Sequence, residues 1–251
     1  MSKKDERQFH IRQLLQEQKK MKVLDLATHF NVSSETIRKD ILDLEKSKII
    51  SKQQGYITLL EEPDEMPIAI RNQEYMETKQ KIMKKSCEYI LEDQMIYLDA
   101  GSTCQAGIMY LQAIQGITIV TNSIFVAYKC ARYNMKVILI GGTVFNNSYR
   151  SYGELATETM DYIHIDVAIL GSKGLKSTIG FTTSENEYML KRKVMEQSEK
   201  IIVVADHHKF EKEPDFTFCK FKEIDYFITD SYTQENYEQI KDIPHIIKAE
   251  D

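Results

Sequence analysis

Over the first sixty residues apolar positions recur at helical spacing; from about residue 95 onward they gather into short unbroken runs. The first rhythm predicts a helix over residues 5–18, with Phe9, Ile11, Leu14 and Leu15 as its buried side. After the basic patch Lys-Lys-Met-Lys a second short helix is expected over 24–30, where Leu26 and Phe30 lie four apart on one face. Asn31 and Val32 make a tight turn, and Ser33 is placed to cap a third helix by accepting an amide of its first turn. In that helix Ile37, Ile41 and Leu44 form a buried stripe, leaving Ser34, Glu35, Arg38 and Lys39 outside near its start. The run KIISKQQGYITLL alternates weakly around Gly55, which reads as two short strands joined by a turn. Helix, helix, turn, helix and hairpin is the plan of a winged helix-turn-helix.

The second rhythm begins with an expected helix over 77–91, followed by apolar runs at 95–99, 117–121, 137–141, 166–170, 201–205 and 226–229. Helical segments, such as 104–111 and 123–132, separate most of them. Ile- and Val-rich runs without strict alternation suit strands buried on both faces, and strand–helix alternation makes a mostly parallel sheet. The expected fold class is therefore two-domain, a winged helix-turn-helix followed by an α/β domain. Between them stands EEPDEMP, residues 61–67, too rich in proline and acid for a core. The expected boundaries are 1–60 for the first domain, 61–74 for the linker and 75–251 for the second.

Charge sharpens this division. The net charge of −5 conceals 12 Lys/Arg against 8 Asp/Glu in residues 1–60, and 21 against 30 in the remainder. A basic head on an acidic body suits a protein that offers one end to double-stranded DNA. No apolar run approaches the roughly 18–20 residues of a membrane span, and the N-terminus lacks a signal-peptide core, so no membrane partner and a cytoplasmic location are expected. Cys87, Cys104, Cys130 and Cys219 stand too far apart for a metal knuckle, and a disulfide framework is not expected.

Candidate chemistry lies at two places. On the third helix Arg38 and Lys39 are suited to base or phosphate contacts, and Ser33, Ser34, Glu35 and Thr36 lie near its start; Lys52 on the wing is suited to the DNA backbone. In the body, polar residues follow successive strands: Asp99, Gly101, Ser102 and Thr103 after the first, then Thr121, Asn122 and Ser123, then Gly141 and Gly142, then Gly171 with Gly174. Lys191 sits on a later helix, and Asp206 and Lys209 follow the strand IIVVA. Ligands of open α/β sheets bind beyond the carboxyl ends of the strands, where unpaired amides favour an anion. Hydroxyls, amides, carboxylates and a lysine together describe a sugar-phosphate pocket. Neither a dinucleotide fingerprint nor a Walker pattern occurs, and no cofactor is expected. Zinc at His207-His208 with Asp206 lacks a third strong ligand, and a Gly-x-Ser-x-Gly elbow is absent.

The run DLATHFNVSSETIRKDILDLEKSKII resembles the N-terminal signature of the DeoR family of bacterial transcriptional regulators, through Leu26, Ala27, Val32, Ser33, Thr36, Ile37, Arg38, Asp40, Leu44 and Glu45. The body resembles the family's sensor domain at Asp99 to Thr103, Thr121 to Ser123, Gly141-Gly142, Gly180 to Thr183, Lys191-Arg192, and Asp206 with Lys209. Four places depart from the pattern. Lys39 replaces an arginine, Gln54-Gly55-Tyr56 replaces the family's His-Gly-Gly on the wing, Ser102 replaces a threonine and keeps the hydroxyl, and His207-His208 replaces small or polar residues. The resemblance implies a repressor of carbohydrate uptake or catabolism genes, acting as a homodimer or homotetramer and controlled by a phosphorylated sugar. It also implies a sensor fold resembling ribose-5-phosphate isomerase. That enzyme has an acidic turn after the strand corresponding to DVAIL, whereas this chain has Gly171-Ser172-Lys173-Gly174, so no proton-transfer base is expected and no enzyme activity.

Overall fold

A computed structural model describes residues 3–46, 49–59, 68–146, 148–176, 179–212 and 216–250. The chain divides into two compact units, Met1–Glu74 and Tyr75–Asp251. The stretch EEPDEMP, expected as a linker, lies outside the described residues.

The first unit runs α1 (Lys3–Gln18), β1 (Lys20–Lys22), α2 (Val23–His29), α3 (Ser34–Lys46), β2 (Ile50–Gln53), β3 (Tyr56–Leu59) and α4 (Ile68–Arg71). Ile11, Leu15, Leu26, Ile37, Ile41 and Leu44 form its core with Ile49, Ile50 and Ile57 of the wing. Phe9, Leu14 and Phe30, expected inside, are only partly covered. Asn31 turns the chain with φ +49°, and the Ser33 hydroxyl accepts the Thr36 amide at 3.2 Å, the capping contact expected there. Asp40 is buried on α3 and pairs with Arg7 Nε at 2.5 Å, tying α1 to α3 through a carboxylate placed among the apolar positions.

Two features of this unit differ from the expected ones. The basic patch is not coil. Lys20–Lys22 pairs antiparallel with β3, so the wing is a three-stranded sheet in the order β1-β3-β2. Three residues are too few for periodicity to register, and only Met21 turns inward while Lys20 and Lys22 lie over the Tyr56 ring. Nor are residues 68–74 linker. Ile68 and Ile70 are buried, Ile70 joins the core with Ile11 and Leu15, and Arg12 pairs with Glu74. One apolar-apolar pair after a proline is a short signal, and the acidic run before it ended the expected first domain at residue 60, earlier than the unit that closes at Glu74.

The second unit opens with α5 (Met76–Cys87), then β4 (Met95–Leu98), α6 (Ser102–Ala106), α7 (Ile108–Leu111), β5 (Thr118–Thr121), α8 (Ile124–Arg132), β6 (Lys136–Leu139), β7 (Thr143–Phe145), β8 (Arg150–Tyr152), α9 (Glu154–Thr159), β9 (Ile165–Gly171), β10 (Gly174–Lys176), β11 (Gly180–Thr183), α10 (Glu185–Glu196), β12 (Ser198–Val204), β13 (Phe216–Lys220), β14 (Tyr226–Thr229), α11 (Gln234–Ile240) and β15 (His245–Lys248). Seven strands make one sheet in the order β15-β14-β12-β9-β4-β5-β6, every neighbouring pair parallel.

Alternate residues of each strand feed opposite layers, as the two-residue side-chain period requires. Ile96, Leu98, Ile119, Val167, Ile169 and Val204 pack with α5, α6, α7 and α8 through Ile82, Cys104, Ile108 and Val126. Tyr97, Val120, Ala168, Leu170 and Val203 pack on the other side with α9 and α10, and with Phe181 and Phe218 of a small antiparallel sheet in the order β10-β11-β13. The helix expected over 104–111 breaks at Gly107, where a Cβ would stand 2.5 Å from Met83 of α5. Both the small sheet and β15 escaped the sequence pattern: their strands are short, and His245–Lys248 is an edge strand with exposed ends.

The strand order places the site. From β4 the chain winds outward through β5 and β6, then returns to β9 and winds the other way through β12, β14 and β15. Strands β4 and β9 therefore flank the point where the winding reverses, the crevice at which such sheets take ligands.

Candidate functional site

Asp99 follows β4 and Gly171 ends β9, on either side of that crevice. The Asp99 carboxylate bridges it, its Oδ2 accepting the Gly171 amide at 2.9 Å and the Lys191 ammonium at 2.7 Å. Lys191 also donates to the Gly171 carbonyl and lies 4.8 Å from the Phe218 ring centroid. Both charges are buried, Asp99 to 3% exposure and Lys191 to 4%. The sequence offered Asp99 and Lys191 as effector contacts; in the structure they are first of all each other's partner. Burial alone would push the Lys191 ammonium down, but the carboxylates of Asp99 and Glu187 outweigh it and hold its pKa above the ordinary lysine value.

The glycines around the pair differ. A Cβ on Gly171 would stand 3.2 Å from Asp99 Oδ2, a tight approach that its bareness relieves, whereas one on Gly101 would make only an ordinary contact, 3.8 Å from the Gly171 Cα. Gly142 answers to a different neighbour: its φ is +139°, and a Cβ there would meet the Tyr152 carbonyl at 2.6 Å. Gly141 is open, with nothing within 4 Å of the place a Cβ would take.

The next strand end is similarly knitted. Asn122 accepts from the Tyr97 hydroxyl at 3.1 Å and donates to the Ser151 carbonyl at 2.9 Å. The Thr121 hydroxyl accepts the Ser123 amide, and Ser123 caps α8 through the Val126 amide. Burial drives the Tyr97 phenol well above its usual pKa, with the Asp99 and Glu187 carboxylates adding to it, so it remains a proton donor to Asn122. Ser102 and Thr103 are buried at the start of α6 behind the extended cap residue Gly101. Cys104, also buried there, is held as a neutral thiol by burial and then by Asp99.

Two contributors at this edge were not among the expected effector-binding residues. Arg150 on β8 is the largest fully buried side chain: its guanidinium pairs with Glu187 at 3.0 Å, reaches Asn186 at 2.9 Å and lies over Phe145. Lys191 and Glu187 are one turn apart on α10, so charges alternate from buried Asp99 and Lys191 through half-buried Glu187 to buried Arg150. An arginine in a loop-like stretch gives no periodic signal of burial. The second is Thr182 on β11, whose hydroxyl is buried without a hydrogen-bond partner among the described residues. Ser172, next to Gly171, donates to the Thr182 carbonyl at 3.0 Å. An unpaired buried hydroxyl costs about 1–3 kcal/mol, a cost that a polar ligand would remove.

At the end of β12, Asp206 is buried to 1% and accepts both the amide and the ring Nδ1 of His208 at 3.2 Å. Lys209 follows on the same short turn of helix and is half-buried. The His207 ring meets Asp230 at 2.5 Å, so each histidine has a carboxylate of its own. Among the described residues the one set of three side chains spaced for a metal ion lies elsewhere. His164, Asp166 and Glu199 stand at the opposite, amino end of the sheet, and His164 and Asp166 line a cavity of about 440 Å³ there.

On the first unit the residues expected to meet DNA share one outward face. Arg38, Lys39 and Glu35 are exposed on α3, and Ser34 and Thr36 are half-covered near its start. Lys39 pairs with Glu35 at 3.1 Å, but both are so exposed that the pair adds little. Lys52 is exposed on β2, beside a turn in which Gln54 and Gly55 both have positive φ. Lys20 and Lys22 add two lysines to the same small sheet through the strand that the sequence did not reveal.

Residues 7–62 match the DeoR-like helix-turn-helix domain, and residues 74–231 match the DeoR C terminal sensor domain. The chain belongs to the DeoR family. It is similar to the HTH-type transcriptional regulator GolR of Listeria innocua, 32% identical over 90% of each chain. The glycerol-3-phosphate regulon repressor of Escherichia coli is 27% identical over 91% of this chain and 92% of its own. Among solved structures, a ribose-5-phosphate isomerase bound to phospho-erythronic acid aligns over 53% of each chain with 18% identity and a TM-score of 0.41, too slight a likeness to bear on fold or activity. As a member of the family, the protein is a DNA-binding transcriptional regulator and not an enzyme. No described helix is long and apolar enough to cross a membrane.

Proposed function

We propose that this DeoR-family regulator represses genes of carbohydrate uptake or catabolism, and that a phosphorylated sugar bound at the carboxyl edge of the large sheet controls it. The observation that carries the reading is the meeting of Asp99, Gly171 and Lys191 at the reversal of strand order. It is supported by the Thr182 hydroxyl on β11, buried without a hydrogen-bond partner among the described residues, whose carbonyl accepts from Ser172 next to Gly171. The Asp99–Lys191 pair forms the floor of the pocket. Gly101, Ser102 and Thr103 offer amides and hydroxyls from one side, Thr121, Asn122, Gly141 and Gly142 border it, and Asp206 with Lys209 closes the other. A relative named as the repressor of the glycerol-3-phosphate regulon supports the repressor role.

Calorimetry tests the reading. A sugar phosphate should bind at least about tenfold more tightly than the same sugar without its phosphate, equivalent to about 1.4 kcal/mol. Equal affinity for the two forms would remove the phosphate from the effector's recognition.

On the DNA side, α3 enters a major groove and the wing lies along the backbone, with two copies of the first unit on half-sites of an operator. Ser33, Ser34, Glu35, Thr36, Arg38 and Lys39 make up the helix face and Lys52 the wing contact. Lys52→Ala should weaken binding evenly across operator sequences. It should also flatten the log–log salt dependence by about one unit for each phosphate that is no longer neutralised. A titration at several salt concentrations reads that slope, and an unchanged slope would take Lys52 off the backbone.

A further inference from the structure

The two histidines that set this chain apart from its family's pattern lie beside the first residue of the second unit. The His208 Nδ1 meets Asp206, and its ring stacks on Tyr75 with centroids 3.8 Å apart and an interplanar angle of 24°. His207, bonded to Asp230, lies against the His208 ring at 3.8 Å. Tyr75 is the first residue of the second unit. The residue before it, Glu74, is the last of the first unit and is held there by Arg12. The junction is thus a single peptide bond with an anchored side chain at each end.

The backbone at Tyr75 adds a second observation. Its φ of +53° and ψ of +40° are left-handed, a conformation bulky residues adopt only when their surroundings impose it. Tyr75 is also the cap residue of α5, where an extended serine or aspartate is the usual choice, and no side chain caps the helix. The Tyr75 carbonyl nevertheless accepts the Lys79 amide at 3.0 Å, the first hydrogen bond of α5. Half of the tyrosine surface is exposed, and burial alone does not hold it. What holds it is the His208 ring, and what orients that ring is Asp206.

We propose that Tyr75 and His208 are the positioning residues that couple the strand-end site to the junction. A ligand that engages Asp206 draws its carboxylate away from His208, the stack loosens, and the left-handed turn before α5 relaxes. The state of the peptide linking the DNA-binding unit to the sensor then differs between free and ligated protein, which is the differential contact that coupling requires. This rests on the proposed effector site at the carboxyl edge.

The test uses the full-length protein with Tyr75→Ala, Tyr75→Phe and His208→Ala. Without ligand, exchange of the Lys79 amide should speed up by about tenfold or more in both alanine variants and stay near wild type in Tyr75→Phe, which keeps the stack. Operator affinity of ligand-free Tyr75→Ala should move toward that of the ligated wild type, because losing the stack puts the junction in the relaxed state without a ligand. The change in operator affinity caused by the most effective of glycerol 3-phosphate, ribose 5-phosphate, fructose 1-phosphate and glucose 6-phosphate should fall to about one-fifth or less of its wild-type size in Tyr75→Ala and return in Tyr75→Phe. Wild-type exchange at Lys79 in both alanine variants, or a full effector response in Tyr75→Ala, overturns the proposal. A wild-type protein indifferent to all four phosphates, with exchange still accelerated in the alanine variants, overturns the effector reading and supports the stack as the lock on the junction.

Discussion

Replacing Lys191 with methionine lowers stability of the sensor unit by about 3–5 kcal/mol, because it leaves the Asp99 carboxylate buried with no counter-charge. The expected loss exceeds that of an ordinary core substitution, since among the described residues the carboxylate keeps the Gly171 amide but no counter-charge. Adding Asp99→Asn to Lys191→Met should restore a large share of it, as the second change removes the stranded charge. Urea unfolding of the single and double variants reads both effects. Equal stability of Lys191→Met and wild type would show that the pair is not buried in solution. The pH dependence has a definite sign. Lys191 has a raised folded-state pKa, so its contribution is fully present below the unfolded lysine value of about 10.4 and is lost as pH rises through the higher folded value. This contribution should therefore be flat from neutrality to about pH 10 and decline only beyond.

Arg38→Ala reduces operator affinity by about thirtyfold or more without moving the unfolding midpoint. The side chain is exposed and stands clear of the buried stripe of Ile37, Ile41 and Leu44, so removing it leaves no cavity. A bidentate arginine–guanine contact is worth about 1–3 kcal/mol, and a symmetric complex loses it twice. Lys39→Ala should cost less, because an ammonium cannot form the two-pronged contact and already has Glu35 beside it. Anisotropy titrations of matched and mismatched operators separate the two: Arg38→Ala relaxes discrimination at one base pair, whereas Lys39→Ala weakens all sequences alike. Unaltered affinity in Arg38→Ala would take that residue out of the recognition face.

Much of the architecture was legible because it rests on local repetition. The stripe of Ile37, Ile41 and Leu44 at helical spacing, and the buried runs around Ile96, Ile119 and Ile169, are patterns of one element read by itself. What the pattern hid depends on partners distant in sequence. Lys20–Lys22 becomes a strand only because β3 pairs with it, and Asp40 is buried only because Arg7 reaches it. The same holds at the sheet edge. Asp99, Asn122, Gly171, Lys191 and Asp206 could be nominated by their places after strands, but their pairings could not. That Lys191 neutralises Asp99, that Asn122 bonds Tyr97 and Ser151, and that Arg150 joins through Glu187 follow from crossovers spanning many residues. The roles of these groups shift accordingly. Asp99 and Lys191 bind each other and the Gly171 backbone at the end of the strands.

The most direct measurement is an anisotropy titration of the full-length protein with DNA from its own promoter region, at one fixed salt concentration, with and without a panel of sugar phosphates and their unphosphorylated counterparts. At least one phosphorylated sugar should shift the apparent affinity by about tenfold or more, while its unphosphorylated form does not. Tight operator binding that no phosphorylated sugar alters would contradict a sensor coupled to the DNA-binding unit through a phosphate site.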